Sequence, residues 1–371
     1  VGRTIRGRSR AEEHRAVLAE IAGVAAAESV DLVLVAGDLF DAAAPTPEAE
    51  RIVYSALLEL AELAPVVLVA GNHDHPRRLQ AVAPLLELGR VTVGAFPAPP
   101  EDGGVVEPAG LPVRVGLIPF ISQRAIVSAA DLMGAEADQH GQKYAERLAA
   151  VVARLCADLR PDTVNLVVAH LMVHGGVMGG GERSAHTVFD YSVPALAFPG
   201  HLSYVALGHL HRAQRIPAPA PVWYSGSPLQ LDFGEADDRK VVLVVEAEPG
   251  LPAEVREVPL TSGRQMVRLR GTLQQVEAAA DQIGDAYLRV ELDEPARAGL
   301  VDEVRELLPN AVDVVLTRRG EQIDQLPPGT RLGRSPGELF AEYLAQRGVE
   351  DRRLLTLFDR LLAEVQESET P

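Results

Sequence analysis

From Ser9 to about Val258, short and nearly unbroken apolar runs alternate with longer stretches of helical spacing. The runs are Asp31 to Ala36, Pro65 to Ala70, Val113 to Ile118, Val164 to Ala169, Ser203 to Leu207 and Val241 to Val245. Strands apolar on both faces belong in a sheet that is covered on each side. Between them, Arg10 to Ala27, Pro47 to Leu63 and Tyr144 to Leu159 repeat their apolar positions every three to four residues, as helices do. The pattern predicts an α/β class, with sheet layers flanked by helices, over residues 1–260.

A linker rich in Pro and Gly is expected from Glu248 to Gly263. Strand, helix, strand, helix and strand then follow at Met266 to Arg270, Leu273 to Ile283, Tyr287 to Leu292, Ala298 to Leu308 and Ala311 to Thr317. That series suffices for a small α+β domain, residues 264–328, with a mixed or antiparallel sheet. Pro327, Pro328 and Gly329 mark a second break. The tail, residues 335–371, reads as helical: Ser335 and Glu338 have capping-box spacing, and Pro336 suits a first helical position. Leu354, Leu357, Phe358, Leu361 and Leu362 share one stripe there, after Leu339, Phe340, Tyr343 and Leu344.

Bulk properties narrow the class. A chain of 371 residues exceeds one compact core, so two or three domains are expected. No apolar run reaches the length of a membrane span, and Arg3, Arg6, Arg8 and Arg10 are not followed by a signal-like core, so a cytoplasmic location is expected. The single cysteine, Cys156, excludes an internal disulfide and a thiolate metal cage. Net charge is −17, and Lys143 and Lys240 are the only lysines. A broad basic surface for nucleic acid is therefore not expected; bound cations or a partner would have to supply positive charge.

Four of the apolar runs end in residues of metal-ligand type. The first leads into Gly37-Asp38-Leu39-Phe40-Asp41 and the second into Gly71-Asn72-His73-Asp74; the others end at His170 and at Gly208-His209-Leu210-His211. Open α/β sheets gather their ligands beyond the carboxyl ends of strands, so these groups are expected to converge. Carboxylate, amide oxygen and imidazole suit Mn²⁺, Mg²⁺, Fe or Zn²⁺. Glycines before Asp38, Asn72 and His209 allow close approach of backbone. Each element alone is weak, since a lone strand-end His or a Gly-Asp pair is commonly structural; four in this order are not. No Gly-x-Ser-x-Gly elbow, phosphate-binding Walker loop or His-Glu-x-x-His occurs.

These stretches resemble the successive motifs of calcineurin-like metallophosphoesterases. Val35 to Asp41, Val69 to Asp74, Tyr204 to His211 and Tyr224 to Gln230 are similar, more narrowly, to the SbcD family of nuclease subunits, and the likeness runs over nearly the whole chain. The resemblance implies two divalent ions, with Mn²⁺ preferred. It implies that Asp38 bridges them, that Asn72, His170 and His209 complete one shell, and that His211 serves the other. It makes His73 the catalytic histidine. It also implies an SbcC-type ATPase partner, DNA ends as substrate, a homodimer within a heterotetramer, and a tail helix pair that docks on the ATPase. An Asp-x-His element on a first strand is implied as well; the sequence from Val1 lacks it. We expect truncation, and weak or absent activity from the sequence as written.

Lesser candidates complete the reading. Arg3, Arg6 and Arg124 are candidate phosphate contacts, against a solvated face or a structural ion pair. His174 and His186 lie in a Gly-rich loop expected near substrate. Asp41 and Asp74 are expected to buttress ligands through hydrogen bonds. Leu339, Phe340, Tyr343, Leu354, Leu357, Phe358 and Leu361 form the candidate partner surface. Two other functions are weighed: a phosphoesterase for small phosphodiesters or phosphoproteins, and an inactive scaffold for the ATPase.

Overall fold

A computed structural model describes residues 1–122, 137–182, 192–280, 283–295, 297, 299–316, 340–341, 343–345 and 353–358, with side chains of 137–143 and 280 excepted. The chain divides into two compact units, Val1–Arg319 and Gly320–Pro371.

In the first unit a small hairpin, β1 (Thr4–Ile5) and β2 (Arg8–Ser9), precedes helix α1 (Ala11–Ala27). Strand β3 (Val33–Val35), helix α2 (Pro47–Leu63), strand β4 (Val66–Val69), helix α3 (Pro76–Leu88) and strand β5 (Val91–Gly94) follow. Crossovers through helices return the chain to the same end of the sheet, so β3, β4 and β5 pair in parallel. Helix α2 starts where the sequence dictates: the Thr46 hydroxyl accepts from the Ala49 N–H, and Pro47 takes the first turn.

The second sheet contains β6 (Val105–Val106), β7 (Val113–Ile118), β8 (Val164–His170), β9 (Tyr204–Gly208), β10 (Gln214–Ile216) and β11 (Val222–Tyr224), in the order β10-β11-β9-β8-β7-β6. Helix α4 (Ala137–Cys156) joins β7 to the parallel strand β8.

Alternation along the strands builds the layers. Val66 and Leu68 of β4 enter a core with Val53, Leu57 and Leu60 of α2, whereas Val67 and Val69 meet Val115, Leu117, Leu166, Val168 and Tyr204 of the second sheet. On that sheet's far face Val167 and Ala169 pack with Leu148, Val152 and Leu155 of α4. The result is helix, sheet, sheet, helix: the predicted layered α/β sandwich.

Strand β12 (Val241–Glu246) pairs antiparallel with β13 (Glu254–Pro259). Six of the sixteen residues of the expected linker from Glu248 to Gly263 are therefore strand. Val255 and Val258 stand three residues apart among charged residues, so no period-two alternation announces this strand, and Pro and Gly flank it. Next come β14 (Met266–Gly271), α5 (Leu273–Ala280), β15 (Tyr287–Leu292), α6 (Leu300–Leu307) and β16 (Ala311–Leu316). All three strands are parallel, not mixed or antiparallel as expected. Each pair is joined by a helix, and such a crossover delivers a parallel neighbour. Val276, Val290, Leu292, Leu300 and Val304 give this layer its own core.

In the second unit, residues 340–341, 343–345 and 353–358 are helical, and the Phe340 and Phe358 rings stack with centroids 4.3 Å apart. Among the described residues no helix is long and apolar enough to cross a membrane.

Candidate metal centre

Strands β3, β4, β8 and β9 deliver Asp38, Asn72, His170 and His209 to one place. Asn72 Oδ1 lies 2.8 Å from His170 Nε2 and 2.8 Å from His209 Nδ1. Those two ring nitrogens are 3.3 Å apart, and Asp38 Oδ2 is 3.4 Å from His170 Nε2. His170 and His209 are buried, and Phe120 stacks over the His209 ring at 6.2 Å.

The local backbone explains how they fit. Asp38 has φ +55° and His209 φ +106°, left-handed conformations that side chains rarely adopt and that cluster at functional sites. A Cβ on Gly71 would stand 2.1 Å from Asp38 Oδ1, and one on Gly208 only 1.8 Å from the Ala36 carbonyl oxygen. Glycine thus lets adjacent strand ends close on one another, as anticipated. Asp74 ties the two ligand loops together, its carboxylate accepting from Phe40 N–H (3.1 Å) and Gly71 N–H (2.8 Å).

Electrostatics follow from this crowding. Burial opposes ionisation of Asp38, but the His170 ring beside it, helped by His73, outweighs burial and holds the carboxyl below its ordinary range. Burial likewise disfavours charge on His170, yet Asp38 and the Ala36 carbonyl raise its proton affinity. Asp74 moves up, because it is buried and faces Asp38.

The donor set fits a divalent cation. His170 Nδ1 donates to the Ala36 carbonyl at 2.7 Å, which leaves a lone pair on Nε2 of the neutral ring. That lone pair faces Asn72 Oδ1 and Asp38 Oδ2, which are also acceptors, so a cation or proton must mediate among them. Among the described residues no three His, Cys, Asp or Glu side chains alone form a ready shell; the Asn72 amide is part of this one.

His73 sits beside the cluster. Its backbone N–H donates to Asp38 Oδ1 (2.9 Å), and its Nδ1 lies 2.9 Å from the Asp41 carbonyl oxygen. His211 meets different partners: its N–H donates to Glu182 Oε1 (2.9 Å), and its Nδ1 lies 2.8 Å from Glu235 Oε1. Glu182, Ser227, Glu235 and Lys240 escaped the sequence reading. Ser227 belongs to the motif-like stretch Tyr224 to Gln230; the one available hint at Lys240 was its rarity as a residue type.

Of the lesser candidates, Arg3 pairs with Asp41 Oδ1 at 3.2 Å and with the Leu231 carbonyl. Arg6 is exposed and pairs with Asp313 at 3.0 Å, away from the strand-end donors in sequence and sheet. His174 is exposed on the loop after β8. The Asp41 carbonyl lies against His73 Nδ1, and the Asp74 carboxylate accepts from the Phe40 and Gly71 N–H groups. In the tail, Phe340 stacks on Phe358 and lies 6.3 Å from Tyr343, while Tyr343, Leu354 and Leu357 are exposed. Arg124, His186, Leu339 and Leu361 lie outside the described residues.

A double-layered α/β body with carboxylate, amide and imidazole donors at its strand ends defines a phosphoesterase of the metal-binding class. The profile of the calcineurin-like phosphoesterase family matches residues 10–213, which include all five candidate ligands and His73. A second profile, SbcD_C, described as type 5 capsule protein repressor C-terminal domain, matches residues 262–348. The chain is 34% identical to the SbcD component of nuclease SbcCD from Rhodobacter capsulatus, over 92% of this chain and 91% of that protein. The same-named protein of Bacillus subtilis is 33% identical over 79% of this chain and 76% of its own length, and that of Escherichia coli K12 is 30% identical over 87% and 83%. The chain belongs to the SbcD family of calcineurin-like phosphoesterases.

Proposed function

We propose that this protein is the nuclease component of an SbcC-type ATPase complex, hydrolysing phosphodiester bonds at DNA ends with Mn²⁺ as its preferred metal. The observation that carries the reading is the meeting of Asp38 Oδ2, Asn72 Oδ1, His170 Nε2 and His209 Nδ1 within 3.4 Å steps of one another. Asp38, Asn72, His170 and His209 would hold one ion, and His211 with Asp38 the other. Two such ions supply Lewis-acid charge for the phosphoryl oxygens and ease loss of a proton from the attacking water.

The chain's own groups do the rest. Because the Asp41 carbonyl engages His73 Nδ1, Nε2 is the nitrogen that takes up a proton and gives it to the departing oxygen. Asp74, locked to Phe40 and Gly71, keeps Asp38 and His73 in mutual register. The helical tail, with exposed Tyr343, Leu354 and Leu357, is the element proposed to dock on the ATPase. A cytoplasmic location suits such a complex.

Mn²⁺-dependent trimming of an end-labelled duplex, measured with the ATPase present and with the Asp-x-His element that the family resemblance implies restored ahead of Val1, tests this. Asp38→Ala is expected to lower the rate by at least ~10³-fold, the scale of removing a principal source of transition-state charge stabilisation. Unchanged trimming by that variant, or turnover of a chromogenic phosphodiester without any on duplex ends, would reject the nuclease reading.

A further inference from the structure

His211 is fixed at three points. Its N–H donates to Glu182 Oε1 at 2.9 Å; its carbonyl accepts from Ser227 N–H at 3.0 Å and from Lys240 Nζ at 3.1 Å; its Nδ1 lies 2.8 Å from Glu235 Oε1. The second oxygen of Glu235 accepts from Lys240 Nζ at 2.7 Å and from Leu231 N–H at 3.1 Å. Lys240 also donates to the Ser227 hydroxyl at 2.9 Å. Glu235 has no exposed surface, and Lys240 is buried beside it. The Gly-rich segment closes over the pair: a Cβ on Gly181 would stand 2.2 Å from Glu235 Oε1 and 2.9 Å from His211 Nδ1.

Burying a full ion pair returns little stability, since desolvation of both charges offsets their attraction. Apolar packing would hold the loop as well. What the pair does achieve is chemical. An ionised carboxylate oxygen accepts only, so the hydrogen of a neutral His211 must reside on Nδ1, and its lone pair on Nε2. Lys240 balances the carboxylate's charge without reaching the imidazole.

We propose that Glu235 and Lys240 form a positioning relay for His211, holding it as the Nδ1–H tautomer so that Nε2 is its ligating nitrogen. The inference rests on the metal-site reading above. Neither residue touches the reacting atoms; both act through His211.

Two measurements on the full chain test it, with Mn²⁺ as the probe. In metal-free protein with ¹⁵N-labelled histidines, the His211 signals, assigned by their loss in His211→Gln, should report hydrogen on Nδ1. In the double variant E235Q/K240M, Gln can donate or accept, so the Nε2–H tautomer should appear. Removing both charges together avoids stranding one of them in the interior. Calorimetric titration should show Mn²⁺ affinity falling about 10- to 100-fold in this variant, the usual consequence of losing a carboxylate behind a ligating histidine. Glu235→Asp, which keeps the charge but withdraws it by one methylene, should also weaken binding and serves if the double variant does not fold. Wild-type tautomer and wild-type affinity in the folded variants would overturn the relay while leaving the metal site standing. Failure of the unsubstituted protein to bind Mn²⁺ would overturn the metal site, and the relay with it.

Discussion

The two sides of the candidate centre are built on opposite principles. At the strand ends, Asp38 Oδ2, Asn72 Oδ1, His170 Nε2 and His209 Nδ1 meet in steps of 3.4 Å or less, on backbone strained at Asp38 and His209. Around His211, Glu182 Oε1 meets the His211 N–H, the His211 carbonyl meets Lys240 Nζ, and the buried Glu235 carboxylate meets that same ammonium. The first side is shaped to receive positive charge from outside; the second carries its own. A site that must place one ligand set around a cation, and a further histidine beside it, gains from having one half rigid before the cation arrives.

The largest effect that would break this contrast comes from closing the gap at the strand ends. Gly71→Ala places a methyl 2.1 Å from Asp38 Oδ1 and 2.2 Å from the Asp38 nitrogen, both on the strained turn. Asp38 must move by about an ångström, and misplacement of that size costs on the order of 10²-fold in rate. Nuclease rates with Mn²⁺ check this, alongside a thermal melt showing the fold intact. Equal activity would mean that the strand-end geometry tolerates more slack than its contacts imply.

A smaller effect should come from the His211 side, and its pH dependence sharpens the comparison. Burial alone would raise the Glu182 carboxyl, but N–H donors of His211, Gly179 and Gly180 outweigh it and hold the group below its ordinary 4.5. A carboxyl lowered by folding contributes stability that is present above about 4.5 and is lost as pH falls through the folded value. Glu182→Gln should therefore destabilise the protein by about 1–2 kcal/mol at pH 7, with the difference shrinking on acidification below 4.5. Urea unfolding at pH 7, 5, 4 and 3 measures it; a gap independent of pH would assign the effect to shape instead of charge. Asp74 runs the other way. Burial and the nearby Asp38 raise it, so its ionisation costs stability as pH climbs above 3.8, and acid relieves that cost.

The same contrast explains what the sequence disclosed. The candidate strand-end ligands are legible because each follows an apolar run, and all but His170 a glycine as well; Asp38, Asn72, His170 and His209 could be named from the sequence alone. Helix Pro47–Leu63 and strands Val113–Ile118 and Tyr287–Leu292 match their predicted spans end to end, having caps or clean apolar periods. Helix Pro76–Leu88 was missed, since Pro84 lies inside it and its residues average neither apolar nor polar. The hairpin of Gln214–Ile216 and Val222–Tyr224 has strands too short to show a period, with Pro217, Pro219 and Pro221 between them. Glu235 and Lys240 carry no local pattern, because their meaning is a contact with His211 some 24 and 29 residues away. Candidate ligands sit at predictable places on strands; the groups that contact them do not.

Phe120 offers the smallest test, and it separates donor geometry from the packing around it. Its ring stacks on His209 at 6.2 Å and meets His170 edge-on at 6.3 Å, while its backbone N–H is anchored to the Ala70 carbonyl at 2.9 Å. Phe120→Leu retains the backbone anchor and most of the apolar cover but removes both ring contacts. Such aromatic pairs contribute roughly 0.5–1.5 kcal/mol beyond area burial, so the rate should fall only about five-fold. Mn²⁺ affinity should fall in the same proportion, because the change acts on how firmly the two imidazoles are held and not on which atoms they present. A loss comparable with that of Gly71→Ala would show that Phe120, and not the glycine-closed backbone, sets the strand-end geometry.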